Sequence, residues 1–248
     1  MPRFKKQIQY DGSAYHGWQV QKSDRSIQEE LENALSILTK GEKINVIGSG
    51  RTDSGVHALR QIAHFDWETD MATCDIIPAL NGNLPEDIRI NDCAVVSGVF
   101  HARFSAVKRQ YVYHCRTDEY ILDRNTIWQT GPLDLNRLNK LADKIVGEHN
   151  FTSFSKFNPE IENRVCNIYL SEWSNESGIV NYRVAANRFL HHMVRYLVGT
   201  MVEVTRKKMT KLEFEEILNN PQENVQIYKA PPQGLFLEKV EYDGADIF

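Results

Sequence analysis

The chain has 248 residues, 42% of them hydrophobic and 25% charged, with a formal net charge of −4 at pH 7. That length and balance suit a folded protein with a substantial core and exclude a disordered or low-complexity chain. The slight acidity lacks the basic signature of many nucleic-acid binders, so such a surface must come from local clusters.

In chain order, "MPRFKKQIQYDG" alternates like a strand and has neither the apolar core nor the cleavage site of a signal peptide, which sets the expectation of a cytoplasmic protein. Ser26-Ile27-Gln28-Glu29 has the form of a capping box, and Ile27, Leu31, Ala34, Leu35 and Leu38 then recur at helical spacing. A short strand "KINVIG", a glycine-rich loop, a strand "RQIAHFDW", a short helix near "TCDIIPALNG" and a strand "IRINDCAVV" complete a βαββαβ order. The second half repeats it. Strand "RQYVYHCR" leads to a helix from about Asp134 with Leu138, Leu141, Ile145 and Val146 on one stripe. After an irregular stretch come strands "VCNIYLSEW" and "IVNYRVAAN", a long helix from Phe189, a short helix "KLEFEEILNN" and a last strand "LFLEKVEYD".

The pattern predicts an α+β protein of two ferredoxin-like halves, residues 1–104 and 105–248, packed side by side with antiparallel sheets and a cleft between them. The most apolar stretch, "FLHHMVRYLVGTMVEV", is broken by His191, His192 and Arg195, short of the roughly 20 apolar residues of a membrane span. The four cysteines form no C-x-x-C pair and the eight histidines show no metal spacing, so reduced, mostly buried thiols and no metal are expected.

The loop "GSGRTDSGVHA" concentrates the unusual residues. A phosphate-binding loop needs G-x-x-x-x-G-K-[ST], but Arg51 follows Gly50 and no lysine follows Gly55. What stays open is an ordinary turn, for which Gly and Asp are favoured, or a loop that presents Asp53. In the later helix Arg195 has His191, His192, Val198 and Gly199 at i±4 and i±3, hence no local acid; a solvated surface arginine is the plain alternative. Tyr111 and Tyr113 alternate on one strand and face one way, as a core pair would. Basic residues gather at Arg103, Lys108, Arg109 and Arg116, at Arg188 and Arg195 seven apart, and in "RKK" at 206–208, where helix capping is the plain alternative.

Six segments in order, "YDGSAYHGWQVQ", "GSGRTDSGVHA" with "HFD", "HARFSAVKRQYVY", "NFTSFSK", "FLHHMVRYLVG" and "APPQGLFLEKVEY", resemble the TruA family of tRNA pseudouridine synthases along nearly the whole chain. The resemblance implies that Asp53 is the catalytic carboxylate and that Arg195 pairs with it. It also implies that Tyr111 stacks on the target uracil and assists proton transfer at C5, that Arg51 helps displace the base, and that Leu235 floors the base pocket, where a core leucine is the alternative. Arg109 falls among the substrate-binding residues, and Tyr113 is left as packing. No cofactor is needed, tRNA is the partner at uridines 38, 39 and 40, and the family works as homodimers.

The His191–His192 pair, with rings about 100° apart on a helix, is assigned to the RNA-facing side. Departures from the family pattern are Arg60 and Thr205, where glycine is common. The rival readings are a non-catalytic RNA-binding protein, which leaves the RTD loop idle, and a glycoside hydrolase, which wants a second carboxylate that the sequence does not mark. A relative acting on other tRNA or small nuclear RNA positions is a third; the compact chain points to the bacterial type.

Overall fold

A computed structural model describes residues 1–118 and 120–244. The chain divides into two compact units, Met1–Val107 with the segment from Phe236 on, and Lys108–Leu235. The architecture is α+β, as the sequence pattern predicts, and the strand pairing in each unit is mostly antiparallel.

The first unit holds β1 (Arg3–Tyr10), α1 (Ile27–Leu38), β2 (Ile47–Gly48), β3 (His57–Asp66), α2 (Thr73–Asn81) and β4 (Ile88–Val96). β1 lies between β3 and β4 and is antiparallel to both, while the two-residue β2 extends the sheet antiparallel to β3. This is the order of a ferredoxin-like βαββαβ unit. Alternation along β1 buries Phe4, Ile8 and Tyr10, and the stripe Ile27, Leu31, Ala34 and Leu35 of α1 is buried as the helical spacing predicts. Ser26 caps α1 by accepting the Glu29 N–H at 3.3 Å.

The second unit holds β5 (Ala106–Arg116) from Lys108 on, β6 (Trp128–Gln129), α3 (Leu135–Ala142), β7 (Gly147–Asn150), β8 (Val165–Glu176), β9 (Ile179–Ala186), α4 (Met193–Thr205) and α5 (Lys211–Asn219). Its antiparallel order is β5-β9-β8-β7, with β6 parallel to β5. The last strand, β10 (Leu235–Tyr242), pairs in parallel with β3 through Phe236–His57 and Leu237–Ala58.

Several expectations need correction. β6 and β7 are absent from the predicted elements; β7 reads Gly-Glu-His-Asn, with no apolar alternation, and is defined by its ladder with β8. α4 starts at Met193 rather than Phe189, because His192 takes a left-handed backbone, φ 64°, that no helix interior accepts. The two histidine rings therefore do not diverge around a helix. They stack at 3.9 Å with 20° between planes. Arg188 lies outside that helix, so it does not share a helical face with Arg195. Val146 is exposed, since the turn that buries Ile145 ends there.

One core residue stands out. Lys6 is fully buried in the middle of β1, between Ala63 and Cys93 of the neighbouring strands, and its ammonium has no hydrogen-bond partner among the described residues. Its Nζ sits 4.0 Å from the centroid of the Phe65 ring, a cation–π contact that offsets part of the lost hydration. Burial lowers its pKa from the ordinary 10.5 to about 7, and burial raises the Cys93 thiol to about 11. Between those two lysine values the unfolded chain binds more protons than the folded one, so stability rises with pH across the window, and the cost of the buried charge is fully present below it. Replacing Lys6→Met is expected to stabilise the protein by about 1–3 kcal/mol at neutral pH. Urea unfolding at several pH values should show that gain shrinking as pH rises toward the ordinary lysine pKa.

Candidate functional site

Asp53 lies in residues 49–56, which leave β2 and enter β3, and every flank of this loop is tied down. Ser49 N–H donates to Ile62 O at 2.7 Å, the Ser49 hydroxyl donates to Gln61 Oε1 at 2.6 Å, and Gln61 Nε2 donates to Gly50 O at 3.0 Å. The Thr52 hydroxyl meets Tyr10 Oη at 2.8 Å, and Thr52 O accepts the Trp18 N–H at 3.1 Å. Beyond Asp53 a turn closes with Val56 N–H on Asp53 O at 3.1 Å. Tyr15 O accepts both the Gly55 N–H, at 3.2 Å, and the Ser54 hydroxyl, at 3.3 Å.

The segment "YDGSAYHGW" thus serves as the bed of the RTD loop, and its glycines are there for contact. A Cβ on Gly12 would fall 2.0 Å from Val56 O, and one on Gly17, at φ +97°, would fall 2.6 Å from Thr52 O. Next to this contact, His57 Nδ1 accepts the Gly12 N–H at 3.1 Å, and the His57 ring stacks on Phe236 at 4.5 Å. Burial pushes the Tyr10 phenol up to about 12 despite its hydrogen bond to Thr52, so it stays protonated in the frame. The result is a half-buried Asp53 beside an exposed Arg51, and Arg51 makes no hydrogen bond or ion pair among the described residues.

The second unit carries the remaining predicted residues. Tyr111 pairs with Val184 across β9 and is half-buried, its ring edge-on to Phe189 at 5.1 Å and 90°. Tyr113, two residues on, is fully buried; its hydroxyl donates to Pro231 O at 2.8 Å and its ring meets Trp128, so its role is packing. Arg109 Nη1 donates to Asn187 O at 3.0 Å.

Arg195 lies in the first turn of α4 and is only 8% exposed, so it is not a solvated surface arginine. Its Nε donates to Ala230 O at 2.8 Å, and its own carbonyl accepts the Ala230 N–H at 3.0 Å. One turn on, a Cβ at Gly199 would fall 2.2 Å from Tyr228 O, so the helix can receive the "KAPPQG" segment only with glycine there. That segment ends in buried Leu235. The motif "FLHHMVRYLVG" is therefore fixed on "APPQGLF" much as "RTD" is fixed on "YDGSAYHGW".

The basic stripe is less continuous than its sequence suggests. Arg116 is held by Asp118 at 2.7 Å and by Asp123, hydrogen bonds that raise its pKa. Arg206 is committed to Glu203 at 3.0 Å and to Thr130 O at 2.7 Å, and Lys208 pairs with Glu203 at 3.4 Å, so "RKK" closes a helix. Arg103 is exposed, while Lys108 and Arg188 are half-buried. Tyr10 and Gln61, which hold the loop, were not among the residues predicted from sequence; a tyrosine and a glutamine inside strands carry no local mark of what they reach.

A family model described as tRNA pseudouridine synthase matches residues 7–105 and 141–243. The chain belongs to the tRNA pseudouridine synthase family. It is 38% identical to a tRNA pseudouridine synthase A of Bacteroides thetaiotaomicron, covering 100% of this chain and 93% of that one. It is 36% identical to that of an Exiguobacterium species, covering 99% and 100%, and 36% identical to that of Bacillus subtilis, covering 97% and 99%. The TruA resemblance is borne out over the whole length, and the chain is accordingly a pseudouridine synthase, an isomerase. A solved archaeal box H/ACA sRNP Nop10-Cbf5 complex aligns at 12% identity and a TM-score of 0.36 over 79% of this chain and 44% of that one, too slight a likeness to argue from. Among the described residues no helix is long and apolar enough to cross a membrane.

A Tyr10→Phe variant removes the bond to the buried Thr52 hydroxyl and loosens the loop. It is expected to lose about 1–3 kcal/mol of stability in urea. Single-turnover pseudouridine formation is expected to fall roughly 10-fold, through misplacement of Asp53, with tRNA affinity little changed.

Proposed function

We propose that this synthase isomerises uridines 38, 39 and 40 of the tRNA anticodon stem-loop, with Asp53 as nucleophile and without a cofactor. The observation that carries the reading is the tied RTD loop, which holds a half-buried carboxylate on a frame of buried hydrogen bonds instead of leaving it on a free turn. A plain turn has no use for that anchoring.

The reaction breaks the N1–C1′ bond of uridine, turns the base and joins C5 to C1′; the C5 proton leaves and N1 ends protonated. Atoms and electrons balance within the nucleotide and water. A carboxylate serves this chemistry as nucleophile toward C1′ of the ribose or C6 of the base, or as the base that removes a ribose proton to give a glycal. For Asp53 to do so it must be ionised in a site dry enough to hold uracil, which calls for a cation at hand. Arg195 is the proposed partner: its guanidinium is buried, positioned from α4 and braced by Ala230, and the MVR motif matches the family's.

Tyr111 is proposed to stack on the target uracil and assist proton transfer at C5, and its half-buried ring, braced edge-on by Phe189, suits a stacking face. Leu235 supplies the apolar floor. Arg51, exposed and without polar partners among the described residues, is suited to reach into the anticodon arm while the base is flipped, a step that costs a few kcal/mol. Arg109 contacts the RNA. Reading three neighbouring positions requires recognition by shape and backbone more than by base sequence. A cytoplasmic homodimer, with tRNA meeting both subunits, completes the proposal.

The test is tritium release from tRNA labelled at uridine C5, with the modified positions mapped. Wild-type protein is expected to release tritium from positions 38–40, and Asp53→Ala to release none while still binding tRNA. Release by both proteins would remove Asp53 from the chemistry; modification elsewhere would overturn the site assignment.

A further inference from the structure

The turn at residues 101–105 holds an aromatic ring in water by design of its backbone. His101 N–H donates to the Ser105 hydroxyl oxygen at 3.0 Å, and Ser105 N–H donates to His101 O at 2.9 Å. Both the Arg103 and Phe104 N–H groups donate to His101 Nδ1, each at 3.2 Å. Ala102 N–H donates to His64 Nδ1 at 3.1 Å, and Ala102 O accepts the Tyr242 hydroxyl at 2.8 Å. Arg3 clasps the approach through Phe100 O at 2.6 Å and Gly98 O at 2.8 Å. With the backbone fixed on every side, the Phe104 ring has no route into the core, and it is 77% exposed.

The ring is not idle surface. One face meets the His101 imidazole at 4.3 Å, and the Arg103 guanidinium carbon lies 5.6 Å from its centroid. At that exposure most of the ring surface meets solvent. Burial first, then the charge of Arg3, keeps the His101 pKa below its ordinary value, consistent with a neutral ring whose Nδ1 accepts two backbone protons. A pre-ordered, largely exposed aromatic with an exposed cation over its ring matches a splayed nucleobase and its flanking phosphate, because every base offers a π-face and every phosphate a negative charge. A second copy of the chain would be better served by contiguous apolar surface than by a ring paired with arginine.

We propose that Phe104, held by His101 and with Arg103 over its ring, is a stacking platform for an unpaired base of the tRNA substrate, apart from the Asp53 loop and from the residues named in the reaction. The proposal rests on the tRNA-modifying function. Its test compares Phe104→Ala, Phe104→Leu and Phe104→Trp in the full chain, using unmodified tRNA transcript for equilibrium binding at several salt concentrations. Tritium release, thermal melting and sedimentation are measured alongside.

Phe104→Ala and Phe104→Leu are expected to weaken tRNA binding about 5- to 100-fold, and Phe104→Trp to stay within about 3-fold of wild type. The salt slope should not change, since no phosphate contact is lost. Melting and sedimentation should match wild type in all three. Restoration by leucine, wild-type affinity in Phe104→Ala, or lowered melting in every variant would overturn the platform. A changed oligomeric state would assign the ring to a second copy instead. If wild-type protein neither binds tRNA nor releases tritium, the function fails and the platform with it; wild-type activity alongside an indifferent Phe104→Ala defeats the platform alone.

Discussion

Two stretches of main chain in the first unit lie so close that neither admits a side chain between them. Gly12 faces Val56 O and Gly17 faces Thr52 O, at distances that even a methyl group would violate. The loop that carries Asp53 takes its shape from this contact. Because the backbones touch, Tyr15 O can receive Gly55 and Ser54, and Trp18 N–H can reach Thr52 O. Because Thr52 is then buried, its hydroxyl needs a partner, and Tyr10 supplies it from β1. The loop that carries Asp53 is in this way an extension of the sheet core, and β1 and β3 set its position.

The second unit repeats the device with different parts. A glycine in α4 lets an extended segment lie on the helix, and an arginine one turn earlier binds that segment with both main chain and side chain. Bracing from Ala230 spends one donor of the guanidinium and fixes its plane. Rigid placement of this kind is where an enzyme finds rate, since orientation and fixed dipoles act before any bond breaks.

Much of this was legible in the sequence. The stripe Ile27, Leu31, Ala34 and Leu35 and the alternation of β1 gave the first unit, because core-facing periodicity leaves a direct trace. Six motifs in order gave the family, and Tyr113 as packing. What stayed hidden depends on partners remote in sequence. Nothing local distinguishes Gln61 or Tyr10 from other strand residues, and only the folded loop shows what they hold. β7 is set by its neighbour's ladder, and the start of α4 by the left-handed backbone at His192, which a helical pattern running from Phe189 conceals. The basic stripe is thinned by acids close in sequence, Asp118 and Asp123 beside Arg116 and Glu203 beside Arg206, the latter agreeing with the helix-capping reading of residues 206–208.

The central claim is that contact between the two backbones places Asp53 for reaction. Gly17→Ala tests it most directly, because the added methyl must push on Thr52 O, next to Asp53, while the sheet core is left intact. Single-turnover pseudouridine formation and tRNA binding would be measured on the same folded variant, checked by a cooperative melt. The account predicts a fall in rate of about 100-fold or more with tRNA affinity within a few-fold of wild type. A folded variant that turns over at the wild-type rate would contradict it.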